Sequence, residues 1–496
     1  MTTSSPARSP IVGVPTSRRL PVDATDAFVP TCEDIVGARH WFGLAIGSLV
    51  VAGALALLLV IGRMPPFDRM FDDPLIFKRG LVVHVVLALV VWFFTFIGGL
   101  WRLLPSARPT TLVSRLGPAV SATGIAAMVL AAAWPGSEPV LANYIPMIDN
   151  PLFVAGVIAF GAGLVLGLVD HRFALASERE PTTSPLMPPA ARPALRAAGI
   201  AVLVAVLCFL SSALTTPASL PAHPFFEQVV WGGGHVLQFA SSAAMCAVWI
   251  ALVTAVTGEA PLSRRVTAIL FGLFIAPLFA APLFADSELA GSRTFFTRLM
   301  ELAIFPVVSI VLVASVVALV RSARTRGAML RSVLRDPRAL GFFASAALAL
   351  LGFGLGASID GSNTMIPAHY HASIGAVTAA FMTYTYVVMV PFGLGEPGRR
   401  TGWLARWQPL VYGAGQMVFA VGFGIAGAHG LARKTYGVEQ VADDGGRTLG
   451  LVVMGVGGLV AVAAGLAFLG ACLSAWRRRD RHTASAPINA HTRSTP

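Results

Sequence analysis

The feature that most limits this chain is the recurrence of apolar runs close to the ~20 residues a helix needs to cross hydrocarbon. About twelve can be marked, at roughly 41–62, 79–104, 117–134, 150–170, 195–215, 228–256, 266–285, 298–320, 339–358, 368–394, 407–429 and 448–475. Inside a bilayer every backbone N–H and C=O needs a partner within the protein, so runs of this length form helices. Charged residues make up 12% of the 496, half the roughly 25% typical of soluble domains. The expected fold class is an all-α polytopic membrane protein with twelve transmembrane helices, residues 41–475 forming the membrane domain. Residues 1–40 are polar, rich in Pro and Ser and without a cleavable signal pattern, and read as a disordered cytoplasmic tail. Residues 476–496 read as a second, basic cytoplasmic tail.

The net charge of +12 comes almost entirely from arginine. In a chain this apolar it marks loop orientation and gives no reason to expect a nucleic-acid partner. Arg102, Arg108 and Arg115 follow the second run, and Arg321, Arg324, Arg326, Arg331, Arg335 and Arg338 follow the eighth. Arg399, Arg400 and Arg406 follow the tenth, and Arg477, Arg478, Arg479 and Arg481 the last. Loops after odd runs are mixed or acidic, such as "WPGSEPVLANYIPMIDN". Both termini are therefore expected in the cytoplasm of a bacterial inner membrane. Cys32, Cys208, Cys246 and Cys472 have no paired spacing and give neither a disulfide framework nor a zinc site.

Four of the ten histidines, His84, His235, His369 and His371, fall within apolar runs, each near the start of an even-numbered one. All four should lie at one depth, toward the outer side. An intramembrane imidazole is usually a hydrogen-bonded core residue; four at one depth, on helices able to cluster, point to cofactor ligation. His369 and His371 stand two residues apart in "AHYH". Helical neighbours two apart point roughly 200° apart, so the two cannot share one metal. They can each serve a different cofactor, one on either face. Neutral imidazole is the common axial ligand of haem iron, so two haems on one helix is the economical reading. His84 would then be the second axial ligand of one of them.

With these residues in view, the chain resembles subunit I of the haem–copper oxidase superfamily, cytochrome c oxidases and nitric oxide reductases, across all twelve runs. The family carries a His-x-His pair on its tenth helix, matching "AHYH", and a histidine on its second, matching His84 in "HVVLALVVWFFTFIGGLWRLLP". The resemblance implies that His84 and His371 ligate a low-spin haem and that His369 ligates a high-spin, substrate-binding haem. Arg433 and Lys434 in "AHGLARKTYG" match the family's basic pair that binds haem propionates. A guanidinium fork suits a carboxylate, and the lysine is the weaker of the two. It further implies electrons arriving from a partner subunit, cytochrome c, a cupredoxin or quinol, since no C-x-x-C-H motif occurs here, and oxygen or nitric oxide as acceptor.

The pattern breaks at the family's second metal, copper or non-haem iron. His235 in "WGGGHVLQFASS" matches the helix-six ligand, and the glycines before it would admit a backbone or haem edge. The expected helix-seven pair falls at Ala281 and Pro282, which cannot ligate. Phe239 stands where many oxygen reductases have tyrosine, Leu237 where pumping members have glutamate, and Ile310 where one proton route has lysine. Glu301 would donate protons near His235 or join it as a metal ligand; alternatively it pairs with Arg298 one turn earlier. Gln238 and His429 read as interface polar residues, with roles beside a distal ligand or a propionate as alternatives. The leading reading is an oxidoreductase in which Glu301 and His235 assist catalysis. Beside it stand a dihaem electron-transfer or gas-binding subunit without the second metal, and a transporter without haem.

Overall fold

The computed structural model describes residues 30–65, 67, 74–106, 108–173, 186–286, 289–325, 333, 335–397, 399–435, 440 and 444–478. Among these residues twelve long helices run back and forth: α1 Cys32–Ile61, α2 Leu75–Trp101, α3 Leu112–Ala133, α4 Pro151–Leu168, α5 Arg192–Thr215 and α6 Ala222–Thr257. They continue as α7 Arg264–Phe284, α8 Ser292–Thr325, α9 Pro337–Ala357, α10 Met365–Val388, α11 Arg399–Ala428 and α12 Gly445–Trp476. Eleven of these are long and apolar enough to cross a membrane. The remaining one, α10, has the length at 24 residues, but His369, His371 and its tyrosines and threonines lower its apolarity. The protein is a multi-pass membrane protein.

The largest difference from the sequence reading lies at the N-terminal end of α1. The first helix starts at Cys32, not at 41, because a capping box closes its end. Asp34 N donates to Thr31 Oγ1 (3.1 Å) and Thr31 N donates to Asp34 Oδ2 (3.3 Å). The polar residues that made this stretch look like a tail serve as a helix terminus, and Asp34 is buried against Arg172 and Thr110. The rest of the expected N-terminal tail, residues 1–29, and of the C-terminal one, 479–496, lie outside the described residues. So do Arg326, Arg331, Arg479, Arg481 and the side chains of Arg399 and Arg400. The loop between α3 and α4 holds a small antiparallel pair, β1 Glu138–Val140 and β2 Met147–Asp149.

Neighbours in sequence pair along the bundle: α3 on α4, α5 on α6, α9 on α10 and α11 on α12. Small residues let these backbones touch, as hydrocarbon requires where no hydrophobic force drives helices together. A side chain on Gly422 of α11 would strike Met454 N of α12 at 2.2 Å. At the arginine-rich end, the far ends of α2 and α4 are tied to the start of α1 by a buried network. Arg172 pairs with both Asp170 and Asp34, and Arg102 donates to Ser114 O at 2.7 Å.

Candidate functional site

The start of α10, which carries His369 and His371, is pinned to the end of α11. Thr364 N donates to Leu431 O (2.9 Å) and Thr364 Oγ1 to Phe423 O (3.0 Å). Gly427 lets the two approach, since a side chain there would meet Met365 N at 2.4 Å. This contact fixes which way each histidine of the pair points. His371 faces α11, its ring 4.7 Å from Phe419 and 5.8 Å from Phe423. His369 faces α9, where its Nδ1 donates to Gly352 O at 2.7 Å. The opposed directions expected of the spacing are what the helix delivers.

His84 is close enough to His371 for the two imidazoles to interact electrostatically. Its Nδ1 donates to Ala52 O of α1 at 2.9 Å. A carbonyl can only accept, so this bond places the ring proton on Nδ1 and leaves the Nε2 lone pair available to a metal. The same logic holds for His369. A π-helical stretch, Val86–Val91, begins two residues after His84 and resets the direction of everything before it. Nothing in "VLALVV" signals it.

His84, His369 and His371 are each half-buried. Deeper along the same helices the packing closes. Phe96 of α2 stacks on Phe381 of α10 at 4.1 Å, Trp92 joins them, and Phe468 of α12 lies against Trp92, all four fully buried. Beside His369, a side chain on Gly356 would come within 2.7 Å of Nδ1, so the ring occupies room that this glycine leaves. Arg63, buried just after α1, lies over the Phe423 ring (5.3 Å) within electrostatic reach of His371. It gave no sequence signal, being a single cation after an apolar run. These residues fit a planar iron macrocycle with carboxylate tails: neighbouring imidazoles on α2 and α10, a third directed to the opposite side of α10, and a guanidinium nearby.

His235 is almost fully buried on α6. Its Nδ1 donates to Trp231 O at 2.8 Å, and its Nε2 lies 2.7 Å from Tyr144 Oη. Tyr144 comes from the α3–α4 loop with φ at 67°, a left-handed backbone for a bulky residue. The glycines before His235 admit side chains of neighbouring segments: Gly232 faces Phe296, Gly233 faces Phe209 and Gly234 faces Tyr144. Glu227, two turns before His235, accepts from Asn143 N (2.8 Å) and from the Asn143 side-chain amide. Arg433 donates to Asn143 Oδ1 at 3.2 Å, and Lys434 donates to Leu141 O. The basic pair therefore clamps the Tyr144 loop from above. Burial, and then Arg433 beside it, pulls the Lys434 ammonium below its ordinary value. Burial, and then the Glu227 carboxylate, raises Tyr144 and keeps its phenol protonated. Sequence reasoning missed Tyr144, Glu227 and Asn143; Glu227 stands one residue outside the apolar run drawn from 228.

Glu301 is not brought to His235. It pairs with Arg298 at 3.0 Å on an outward face of α8, its side chain 48% exposed, while Phe296 and Leu299 turn inward. The i,i+3 alternative holds and the catalytic expectation for this residue does not, because the helix rotates it away from the bundle. His429 likewise pairs outside with Asp444 at 3.0 Å, and Gln238 is half-buried on α6. The expected helix-seven ligand positions, Ala281 and Pro282, fall in a short turn after α7 breaks into 3₁₀ geometry at Ala276–Ala280.

No family model matches the chain. An uncharacterized protein of Rickettsia prowazekii (strain Madrid E) is 25% identical over 88% of this chain and 95% of its own length. One of Aquifex aeolicus (strain VF5) is 27% identical over 72% of this chain and 85% of its own. Among solved structures, a heme-copper terminal oxidase dimer determined by cryo-EM superposes with a TM-score of 0.68 at 15% identity, covering 92% of this chain and 85% of that one. At this identity the likeness is one of fold: the chain has the helix bundle of that oxidase.

Proposed function

We propose that this protein is a haem-containing membrane oxidoreductase in which His84 and His371 hold a low-spin haem and His369 holds a high-spin one, with oxygen or nitric oxide as the electron acceptor. The observation that carries the reading is the electrostatic proximity of His84 on α2 to His371 on α10, while His369 points to the other side of the same helix. The shared bundle with a heme-copper terminal oxidase supports it independently. Haem so held supplies one-electron transfer and, where its iron keeps an open position, binding of a diatomic gas. The chain's own part is to fix the imidazoles: Ala52 O and Gly352 O hold His84 and His369 in the tautomer whose Nε2 accepts a metal. Arg63 offers a buried cation beside His371 for a haem carboxylate.

The arginine-rich end is assigned to the cytoplasm and the histidine end to the outer side of a bacterial inner membrane. Electrons are assigned to a partner subunit or to a soluble cytochrome c or cupredoxin docking on the outer side. A second reading, a dihaem electron-transfer or gas-binding subunit without a second metal, is favoured by one observation: both His235 nitrogens are already hydrogen-bonded within the protein.

The test is haem quantitation on the purified protein with reduced-minus-oxidised and carbon monoxide difference spectra. Two haems per chain with one binding carbon monoxide supports the proposal, and turnover of oxygen or nitric oxide separates its two forms. Protein free of haem would overturn both and leave a transporter as the better reading.

A further inference from the structure

A transition metal in a protein needs three or four convergent donors. Among the described residues no three His, Cys, Asp or Glu side chains come together as such a set, and His235 brings one imidazole. The tautomer of that imidazole is decided by its neighbours. Trp231 O can only accept, so Nδ1 carries the proton and Nε2 carries the lone pair. Tyr144 Oη, 2.7 Å from Nε2, must then be the donor. The one nitrogen of His235 able to bind a metal is therefore engaged by a phenol O–H.

Much of the local structure serves that contact. The backbone at Tyr144 adopts φ 67°, a conformation that persists in a bulky residue only when its surroundings hold it there. Gly234, directly before His235, lies against the tyrosine: a side chain there would meet Tyr144 Cβ at 2.4 Å and Cγ at 2.8 Å. Asn143, the preceding residue, is bonded to Glu227 on the same helix as His235 and to Arg433 on the far connection. Trp231 packs against both rings, 5.5 Å from Tyr144 and 4.9 Å from His235, and Phe296 of α8 lies 5.7 Å from the imidazole.

We infer that Tyr144 and His235 form a fixed phenol–imidazole pair standing where a second metal would be, and that His235 is not a metal ligand. The inference rests on the two-haem reading only for what lies beside the pair. It assigns Glu227, Asn143 and Arg433 as positioning residues that hold the Tyr144 loop on α6.

The first test needs no variant. Full-length protein from cells supplied with iron and copper is assayed for haem and for total iron, copper and zinc. Iron equal to haem iron, with no stoichiometric copper or zinc, is expected, and His235→Ala should leave that balance unchanged. A further equivalent of metal per chain, lost in His235→Ala and kept in Tyr144→Phe, would overturn the inference. The second test is a thermal-unfolding cycle of Tyr144→Phe, His235→Ala and the double variant. A coupled pair predicts that the second substitution lowers the melting temperature much less after the first has been made. Strictly additive shifts would overturn the pairing. Protein lacking haem would sink the haem assignment alone, since the metal count and the cycle still decide the pair.

Discussion

His369 donates from Nδ1 to Gly352 O, 2.7 Å away, in room that exists because Gly356, one helical turn later on α9, has no side chain. Adding one carbon at Gly356 places it 2.7 Å from Nδ1 and 2.8 Å from Cε1 of the ring. The imidazole is held from behind by its hydrogen bond, so it must rotate. Gly356→Ala is therefore expected to lower the carbon monoxide-binding haem fraction while leaving the low-spin signal in place. Carbon monoxide difference spectra normalised to total haem check this.

Because His369 and His371 serve opposite faces of α10, their losses should be separable. His371→Ala and His84→Ala are each expected to abolish the low-spin signal, and the double variant to do no more than either single one. His369→Ala should retain that signal and lose carbon monoxide binding. Spectra in which His84→Ala and His369→Ala remove the same haem would contradict the assignment of His369 and His371 to different haems.

The buried charge cluster around Arg172 and the exposed pair on α8 should behave differently. Arg172 with Asp170 and Asp34 is buried, and removing one partner strands a charge; Asp170→Asn is expected to destabilise by roughly 3–5 kcal/mol. Arg298 with Glu301 is exposed, and Glu301→Gln should shift stability by about 0.5 kcal/mol or less. Thermal unfolding in detergent reads both. Glu301→Gln should also leave gas turnover unaltered, and a loss of turnover would restore the carboxylate as a functional group.

Asp444 caps α12, accepting from Gly446 N at 2.9 Å and Arg447 N at 3.2 Å. The bond from Arg447 N, above all, holds its carboxyl below the ordinary 3.8. A carboxyl lowered in the folded state stabilises above its unfolded value, and that contribution is lost as pH falls through the folded one. Asp444→Ala should therefore melt lower than the parent chain by a clear margin near neutral pH. The margin should shrink as the pH drops below about 4, provided the other acid-sensitive groups titrate alike in both. A margin independent of pH would show that the cap contributes through packing alone.

Much of the architecture was legible in the sequence because the bilayer enforces it. A run of apolar residues in hydrocarbon must be a helix, so twelve runs became twelve helices, with edges displaced by a few residues. The Asp34 end of α1 was misread because a buried network makes polar residues tolerable there. The opposed directions of His369 and His371 were legible from spacing alone, because residues two apart point to opposite sides of any helix. Helical geometry at short range is carried by the sequence itself.

What the sequence did not contain is everything that depends on two distant segments meeting. Tyr144 and His235 are 91 positions apart, and neither the lone tyrosine in "ANYIP" nor the glycines of "WGGGH" identifies the other. Glu301 looked intramembrane and functional until the rotation of α8 placed it outside. Nor does the basic pair in "AHGLARKTYG" announce that Arg433 and Lys434 hold the Tyr144 loop. Composition and spacing decide which segments become helices and which side chains share a face. Only the packing of α6, α8, α10 and the α3–α4 loop decides which nitrogen remains free, because hydrogen bonding is directional and is settled at distances of about 3 Å.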